Sequence, residues 1–123
     1  MSELVSYNKF GEFFDEILNL NRQIRFVAIY DGHFKAKYQK GIKEKIKEEE
    51  IRNSLAEAHI RWDFRKKWNF RMGKPSYSIE NYDKINRITI PLDEKGLVLI
   101  TTEASLNLPD LLSNITKICK MFF

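Results

Sequence analysis

Residues 24–38 read IRFVAIYDGHFKAKY, and this stretch decides the fold because it predicts a β-hairpin. Its first half is dense in β-branched and aromatic side chains, which is typical of a buried strand, and its second half predicts a shorter strand. Asp31-Gly32 lies between the two halves, and this dipeptide favours a tight turn whose twist suits a two-residue hairpin loop. The chain therefore begins its sheet early, with two antiparallel strands.

Helices are predicted on both sides of the hairpin. Upstream, apolar residues at spacings of three and four predict a helix over residues 6–20. Downstream, KEKIKEEEIRNSLAEAHIRW (residues 43–62) lacks Gly and Pro and is rich in helix-forming residues, which predicts a long helix. A second apolar ridge at spacing four continues this pattern to residue 71. Because the second ridge is offset from the first, we expect a bend or an end within it.

The remainder of the chain predicts three more strands and a last helix. Gly73-Lys74-Pro75 breaks the helical pattern, and residues 108–122 trace an amphipathic helix. The extended segments between them are residues 76–82, 85–90 and 96–102. The element order α-β-β-α-β-β-β-α predicts an α+β fold, a five-stranded antiparallel sheet covered by helices.

Length and composition set limits on the class of protein. With 123 residues, of which 43% are hydrophobic and 31% charged, the chain suits a single globular domain, residues 1–123. The apolar run 97–100 is far too short to span a bilayer, and the N-terminus lacks the pattern of a secretory signal. We therefore expect a cytoplasmic protein with no membrane partner. The solitary Cys119 agrees with a reducing compartment.

A basic, aromatic segment occupies residues 61–74. It carries six cations against Asp63 alone, while the formal charge of the whole chain is +4, so the basic excess is local. Exposed aromatics among cations would suit single-stranded nucleic acid or an acidic protein partner; the ordinary alternative is that the aromatics are core and the cations are solvated. The candidate binding residues are Arg61, Arg65, Lys66, Lys67, Trp68, Arg71 and Lys74.

Motifs for catalysis or metal binding do not stand out. His33 and His59 have no second His or Cys at ligand spacing, and we expect His59 to pair with Asp63 one turn later. Cys119 falls on the apolar face of the last helix with no accompanying base, which favours a buried hydrophobe over a nucleophile. We expect a protein that is not an enzyme and that holds no metal or cofactor.

Two segments resemble a known family. RFVAIYDGHFKAKY (25–38) is similar to the first hairpin of the roadblock/dynein light chain domain, a relative of the longin and profilin folds. INRITIPLDEKGLVLITTE (85–103) is similar to the closing hairpin of that domain, and the likeness covers almost the whole chain from Phe10 onward. The Ile- and Lys-rich sequence also resembles small proteins of ammonia-oxidising archaea.

The resemblance implies a non-enzymatic scaffold or regulator that forms a homodimer and binds a protein partner, small GTPases being one class of partner. It also implies pairing through the long middle helix and the strand beside it. The basic segment 61–74 departs from the family pattern and could redirect or block the usual dimer. By position, the implied interface comprises Ile46, Ile51, Leu55, Ala58, Trp62, Tyr77 and Ile79.

A small-molecule sensor of the PAS/GAF type is the alternative class, because such domains share a five-stranded antiparallel sheet. A sensor would hold its ligand between the sheet and a helix. The polar candidates for such a site are Tyr82, Thr101 and His59. Nucleic-acid binding by segment 61–74 is a further alternative.

Overall fold

A computed structural model describes residues 2–31, 33–43, 45–92 and 96–123, with the backbone alone for residues 2–9. The helices are α1 (Ser2–Leu18), α2 (Glu48–Arg65), α3 (Asn69–Met72) and α4 (Leu108–Phe122), with a 3₁₀ turn (Lys66–Trp68) between α2 and α3. The strands are β1 (Ile24–Tyr30), β2 (Phe34–Tyr38), β3 (Ser78–Asn81), β4 (Ile85–Leu92) and β5 (Gly96–Glu103).

The strands form one antiparallel sheet in the order β2-β1-β5-β4-β3, which confirms the predicted α+β class. Strand β5 lies at the centre, where Ile100 pairs with Val27 of β1 and Ile88 of β4. Its continuous apolar sequence fits this place, because a central strand between two covered faces meets apolar neighbours on both sides. Strands β2 and β3 are the two edges.

Each face of the sheet has its own apolar core. On one face, Val27, Ile29, Val98 and Ile100 share a cluster with side chains of α1 and α4 such as Phe13 and Ile115. On the other face, α2 covers the sheet with a single ridge of four buried side chains. This inner ridge consists of Ile51, Leu55, Ala58 and Trp62, and it packs with Phe26, Ala28, Leu97 and Leu99.

Helix α2 is shorter than its sequence predicts. It begins at Glu48, after residues 43–47, and it ends at Arg65, where the 3₁₀ turn and then the short α3 follow. The offset between the two apolar ridges arises within α2, because Ile60 and Phe64 are exposed on the side of the helix opposite its inner ridge. The expected end of the helix follows at the 3₁₀ turn. Gly73 then ends α3 with a φ of 81°, a conformation that favours glycine.

The first hairpin forms as predicted, but its connection is longer. Tyr30 of β1 pairs with Phe34 of β2, so three residues join the strands instead of two. The backbone N–H of Asp31 donates to the carbonyl of His33 across this connection. The predicted conformation of Gly32 lies outside the described residues.

The two sides of α2 should respond differently to truncation. Leu55 is fully buried, whereas Phe64 is 59% exposed. We expect Leu55→Ala to lower the free energy of unfolding by about 2–5 kcal/mol, because it leaves a cavity in the core. Phe64→Ala should change it by about 0.5 kcal/mol or less. Urea denaturation of both variants measures the difference, and equal losses would contradict the assignment of the two sides.

Candidate interaction surface

Four of the residues expected at a dimer interface are buried inside the chain. Ile51, Leu55, Ala58 and Trp62 are at most 4% exposed, and they are the inner ridge of α2. The indole N–H of Trp62 donates to the hydroxyl of Thr89 in β4 at 3.1 Å, which fixes the end of the helix on the sheet. Side chains packed in this way cannot at the same time line a contact with a second copy.

The other three expected interface residues lie in separate places. Ile46 precedes α2 and is 44% exposed, and its carbonyl accepts a hydrogen bond from the Tyr38 hydroxyl of edge strand β2 at 2.9 Å. Tyr77 is 47% exposed just before β3, the opposite edge strand, which lies four strand spacings, or about 19 Å, from β2. Ile79 packs against the core on the α1 and α4 side. The expected residues therefore do not form one surface.

Helix α2 presents a second, outer side to solvent. Ala56 and Ile60 are exposed on this side, Ile60 by 57%. Glu48, Glu49 and Glu50 form the first turn of the helix, and Arg65 lies in its last turn. The outer side thus has Ala56 and Ile60 in its middle, together with the exposed Asn53 and Glu57, and an acidic first turn. Arg65 lies over the ring of Trp62, nearer to the inner ridge.

Two cations of the basic segment belong to ion pairs within the chain. Arg61 lies 3.5 Å from Oε1 of Glu80 in β3, and Lys66 lies 3.3 Å from Asp63. The same Glu80 oxygen is 3.6 Å from the guanidinium of Arg87, which also donates to the carbonyl of Ser54 at 2.9 Å. Glu80 therefore links the end of α2 to β3 and β4.

Arg87 is a residue that sequence reasoning missed. It is only 9% exposed, in a strand where Ile88 and Ile90 mark one face and Arg87 and Thr89 the other. That alternation was the available signal, because a strand with helices on both sides must bury its polar face as well. Such burial requires partners, and Glu80 and Ser54 supply them.

The aromatic residues of segment 61–74 divide into one core residue and three exposed ones. Trp62 is buried, but Phe64, Trp68 and Phe70 are 59%, 54% and 78% exposed. Cations of the segment lie over several of these rings: Arg65 over Trp62, Lys67 over Phe64 and Arg71 over Phe70, at 5.0, 4.7 and 5.3 Å from the ring centroids. The interpretation of these aromatics as core is correct for Trp62 and wrong for the other three.

His59 and Cys119 have structural surroundings. The His59 ring meets Tyr30 edge-on, with centroids 5.6 Å apart. Cys119 of α4 is buried in the apolar core, and this burial raises the pKa of its thiol to about 11. Within the described ranges, no group of three or more His, Cys, Asp or Glu residues is placed to hold a metal ion. No helix of the described chain has the length and apolarity needed to cross a bilayer.

The residues named for a small-molecule sensor do not form an interior site. Tyr82 is 50% exposed, and its hydroxyl donates to Glu80 at 3.1 Å, so it belongs to the surface. Thr101 is buried in β5. A depression of about 1360 Å³ lies at one end of the sheet, where its lining includes His59, Trp62 and Lys74. The clusters between sheet and helices are apolar and packed, which does not support the sensor alternative.

This architecture, a five-stranded antiparallel sheet with α1 and α4 on one face and α2 on the other, defines a class of α+β fold. The chain has the roadblock/LC7 fold. Structural comparison finds the Roadblock/LC7 domain from Streptomyces avermitilis, with a TM-score of 0.68 and 9% sequence identity over 89% of this chain and 90% of that one.

Two further solved structures have the same fold. The gliding protein MglB from Thermus thermophilus gives a TM-score of 0.70 with 11% identity over 94% of this chain and 91% of that one. MglC from Myxococcus xanthus gives 0.61 with 11% identity over 93% and 96%. The sequence matches no protein-family model and no curated protein sequence. At these identities the comparisons establish the fold, which confirms the predicted resemblance in architecture.

The buried thiol gives a test of the α4 packing. Because the pKa of Cys119 is raised, the folded chain keeps the thiol protonated at a pH where the unfolded chain begins to ionise it. The free energy of unfolding should therefore fall as the pH rises past the ordinary pKa of a cysteine. At about pH 8, we expect native Cys119 to react with Ellman's reagent at least about tenfold more slowly than the urea-unfolded chain. Equal rates would contradict the burial.

Proposed function

We propose that this chain is a non-enzymatic regulatory domain that pairs with a second copy of itself and binds a protein partner. The observation that carries the proposal is the two-sided character of α2. Its inner ridge completes the core of one subunit, while Ala56 and Ile60 on its outer side remain exposed. A helix that is amphipathic in the ordinary sense would present only polar residues outward.

Antiparallel pairing of two α2 helices suits the outer side. A two-fold axis through the middle of the helix, near Ala56, would bring the exposed Ala56 and Ile60 of the two copies into one contact and would keep the two acidic first turns at its opposite ends. The helix is about 27 Å long, so one contact would extend over much of a subunit. The small side chain of Ala56 allows two helices to approach closely at the axis.

Strand β3 offers a second element for pairing. It is a four-residue edge strand, and its outward backbone groups are available to another strand. Tyr77 lies exposed just before it, on the same edge. Pairing would therefore use the outer side of α2 together with β3 and Tyr77. This surface differs from the dimer interface that the sequence resemblance implied, because the α2 residues of that interface face the core.

A small GTPase is the class of protein partner that we propose, on the basis of the fold resemblance. One solved structure with this fold is described as MglB with a tetrameric arrangement, at 11% identity and a TM-score of 0.70 over 95% of this chain. Assembly of copies is thus compatible with the fold. We propose no catalytic residue, because the thiol of Cys119 is buried with a raised pKa and the carboxylate of Glu80 is engaged by Arg61 and Arg87.

The dimer can be tested at its two-fold axis. An arginine at position 56 would face its own copy across the axis, so Ala56→Arg should raise the dissociation constant at least about tenfold, or about 1.4 kcal/mol. Light scattering at micromolar concentration should give twice 14.7 kDa for the unchanged chain and a value near 14.7 kDa for the variant.

The matched control is Met121→Arg, because Met121 is 75% exposed on α4 and the substitution adds the same charge. We expect this variant to keep the dimer mass. A chain that is monomeric throughout the micromolar range would contradict the proposal, and so would equal effects of the two substitutions.

A further inference from the structure

The region after α2 exposes an unusual amount of apolar surface. Phe64, Trp68, Phe70 and Met72 are 59%, 54%, 78% and 74% exposed, within nine consecutive residues. Elsewhere in the described chain, large exposed apolar side chains are single or at the chain end, for example Tyr82 and Met121. Exposed apolar side chains gathered this closely along the chain mark a site that another molecule or a lipid surface covers. We call these four residues the terminal patch.

Cations surround the terminal patch. Lys67, Arg71 and Lys74 are exposed among its residues, and Arg65 is half-buried beside it. Lys67 and Arg71 lie over the rings of Phe64 and Phe70. The one acid of the segment, Asp63, is paired with Lys66. A molecule or surface that covers the patch should therefore offer both apolar contacts and negative charge.

We propose that the terminal patch binds the surface of an anionic lipid bilayer, with its apolar side chains at the boundary of headgroups and acyl chains and its cations at the phosphates. This proposal departs from the expectation of no membrane partner, which rested on the lack of a segment long enough to span a bilayer. A basic, aromatic helical segment is the type of element that lies in a bilayer interface. Clusters of Lys and Arg next to such anchors are attracted to anionic headgroups. The site is separate from the middle of α2, so this inference does not depend on the proposed dimer.

The geometry favours a lipid surface over single-stranded nucleic acid. Bases stack on open aromatic faces, but Lys67 and Arg71 already lie over faces of Phe64 and Phe70. Met72, the aliphatic member of the patch, offers no ring for stacking. A bilayer interface, in contrast, takes aromatic and aliphatic side chains alike.

The geometry also disfavours insertion into a groove of a partner protein. A helix that binds in a groove presents its anchors along one continuous stripe. Here the 3₁₀ turn Lys66–Trp68 separates α2 from α3, so Phe64 and Phe70 do not continue one α-helical stripe. A bilayer interface requires the apolar side chains to share one side of the segment, but it does not require the spacing of a single α-helix.

The experiment is flotation of the full chain with vesicles of phosphatidylcholine alone or of phosphatidylcholine and phosphatidylglycerol in equal amounts. We expect at least about tenfold tighter binding to the anionic vesicles, lost at high salt, with a blue shift of Trp68 emission. Absence of binding to anionic vesicles at low salt would overturn the proposal, and so would equal binding to neutral ones.

Two pairs of variants separate this site from general attraction. Lys67→Glu with Arg71→Glu should weaken binding at least about tenfold, whereas Lys117→Glu with Lys120→Glu on α4 changes the net charge equally and should weaken it about threefold or less. Phe70→Ala should weaken binding, and Met121→Ala should not. Equal losses in either pair would overturn the proposal.

A uridine oligonucleotide serves as the competing probe. Binding of the oligonucleotide that depends on Lys67 and Arg71, without vesicle binding, would assign the patch to nucleic acid and overturn the lipid proposal. The Ala56→Arg variant, as a monomer, should still bind the vesicles. Failure of the proposed dimer and failure of the proposed lipid site therefore give different results.

Discussion

The structure depends on one constraint: the central strands of the sheet are apolar on both faces, so both faces must be covered. Helices α1 and α4 share one face, but α2 covers the other alone. Four side chains of α2 meet that face, and the hydrogen bond from Trp62 to Thr89 fixes the rotation of the helix at its end. Every other position of α2 follows from this choice through the helical period.

The fixed rotation of α2 places Ala56, Ile60 and Phe64 away from the sheet. It also brings Arg61 to the β3 side, where Glu80 holds it together with Arg87. The cations of the basic segment consequently differ in their surroundings. Arg61 and Lys66 are engaged in ion pairs, while Lys67 and Arg71 lie over exposed rings. The outer surface thus has an acidic beginning, an apolar middle and a basic, aromatic end.

Much of the fold was predictable because strands and turns have local signatures. The hairpin at residues 24–38 and the continuous apolar run of β5 identified the sheet, and the residues between them identified its covering helix. The inner ridge was predictable as a stripe, but not as core, because spacing alone does not tell whether an apolar stripe meets its own sheet or another subunit. The ridge at Phe64 and Trp68 has the same spacing, but both of these side chains are exposed.

The end of α2 was not predictable, because no Gly or Pro marks Arg65 and the 3₁₀ turn depends on packing. The separation of Ile46 from Tyr77 also arises only from strand order, since β2 and β3 are opposite edges. Likewise, the partners that allow Arg87 to be buried come from distant parts of the chain. Long-range contacts decide all three features, and a single sequence does not display them.

The central claim is that α2 keeps one ridge inside the core and presents the other to its surroundings. Each ridge has one of the two tryptophans of the chain. Trp62 of the inner ridge is 4% exposed, and Trp68, in the 3₁₀ turn where the other ridge continues, is 54% exposed. Acrylamide quenching of the unchanged chain and of Trp68→Phe tests the claim most directly. The account predicts a strongly protected Trp62 in the variant and a readily quenched component that disappears with Trp68. Similar quenching before and after the substitution would contradict it.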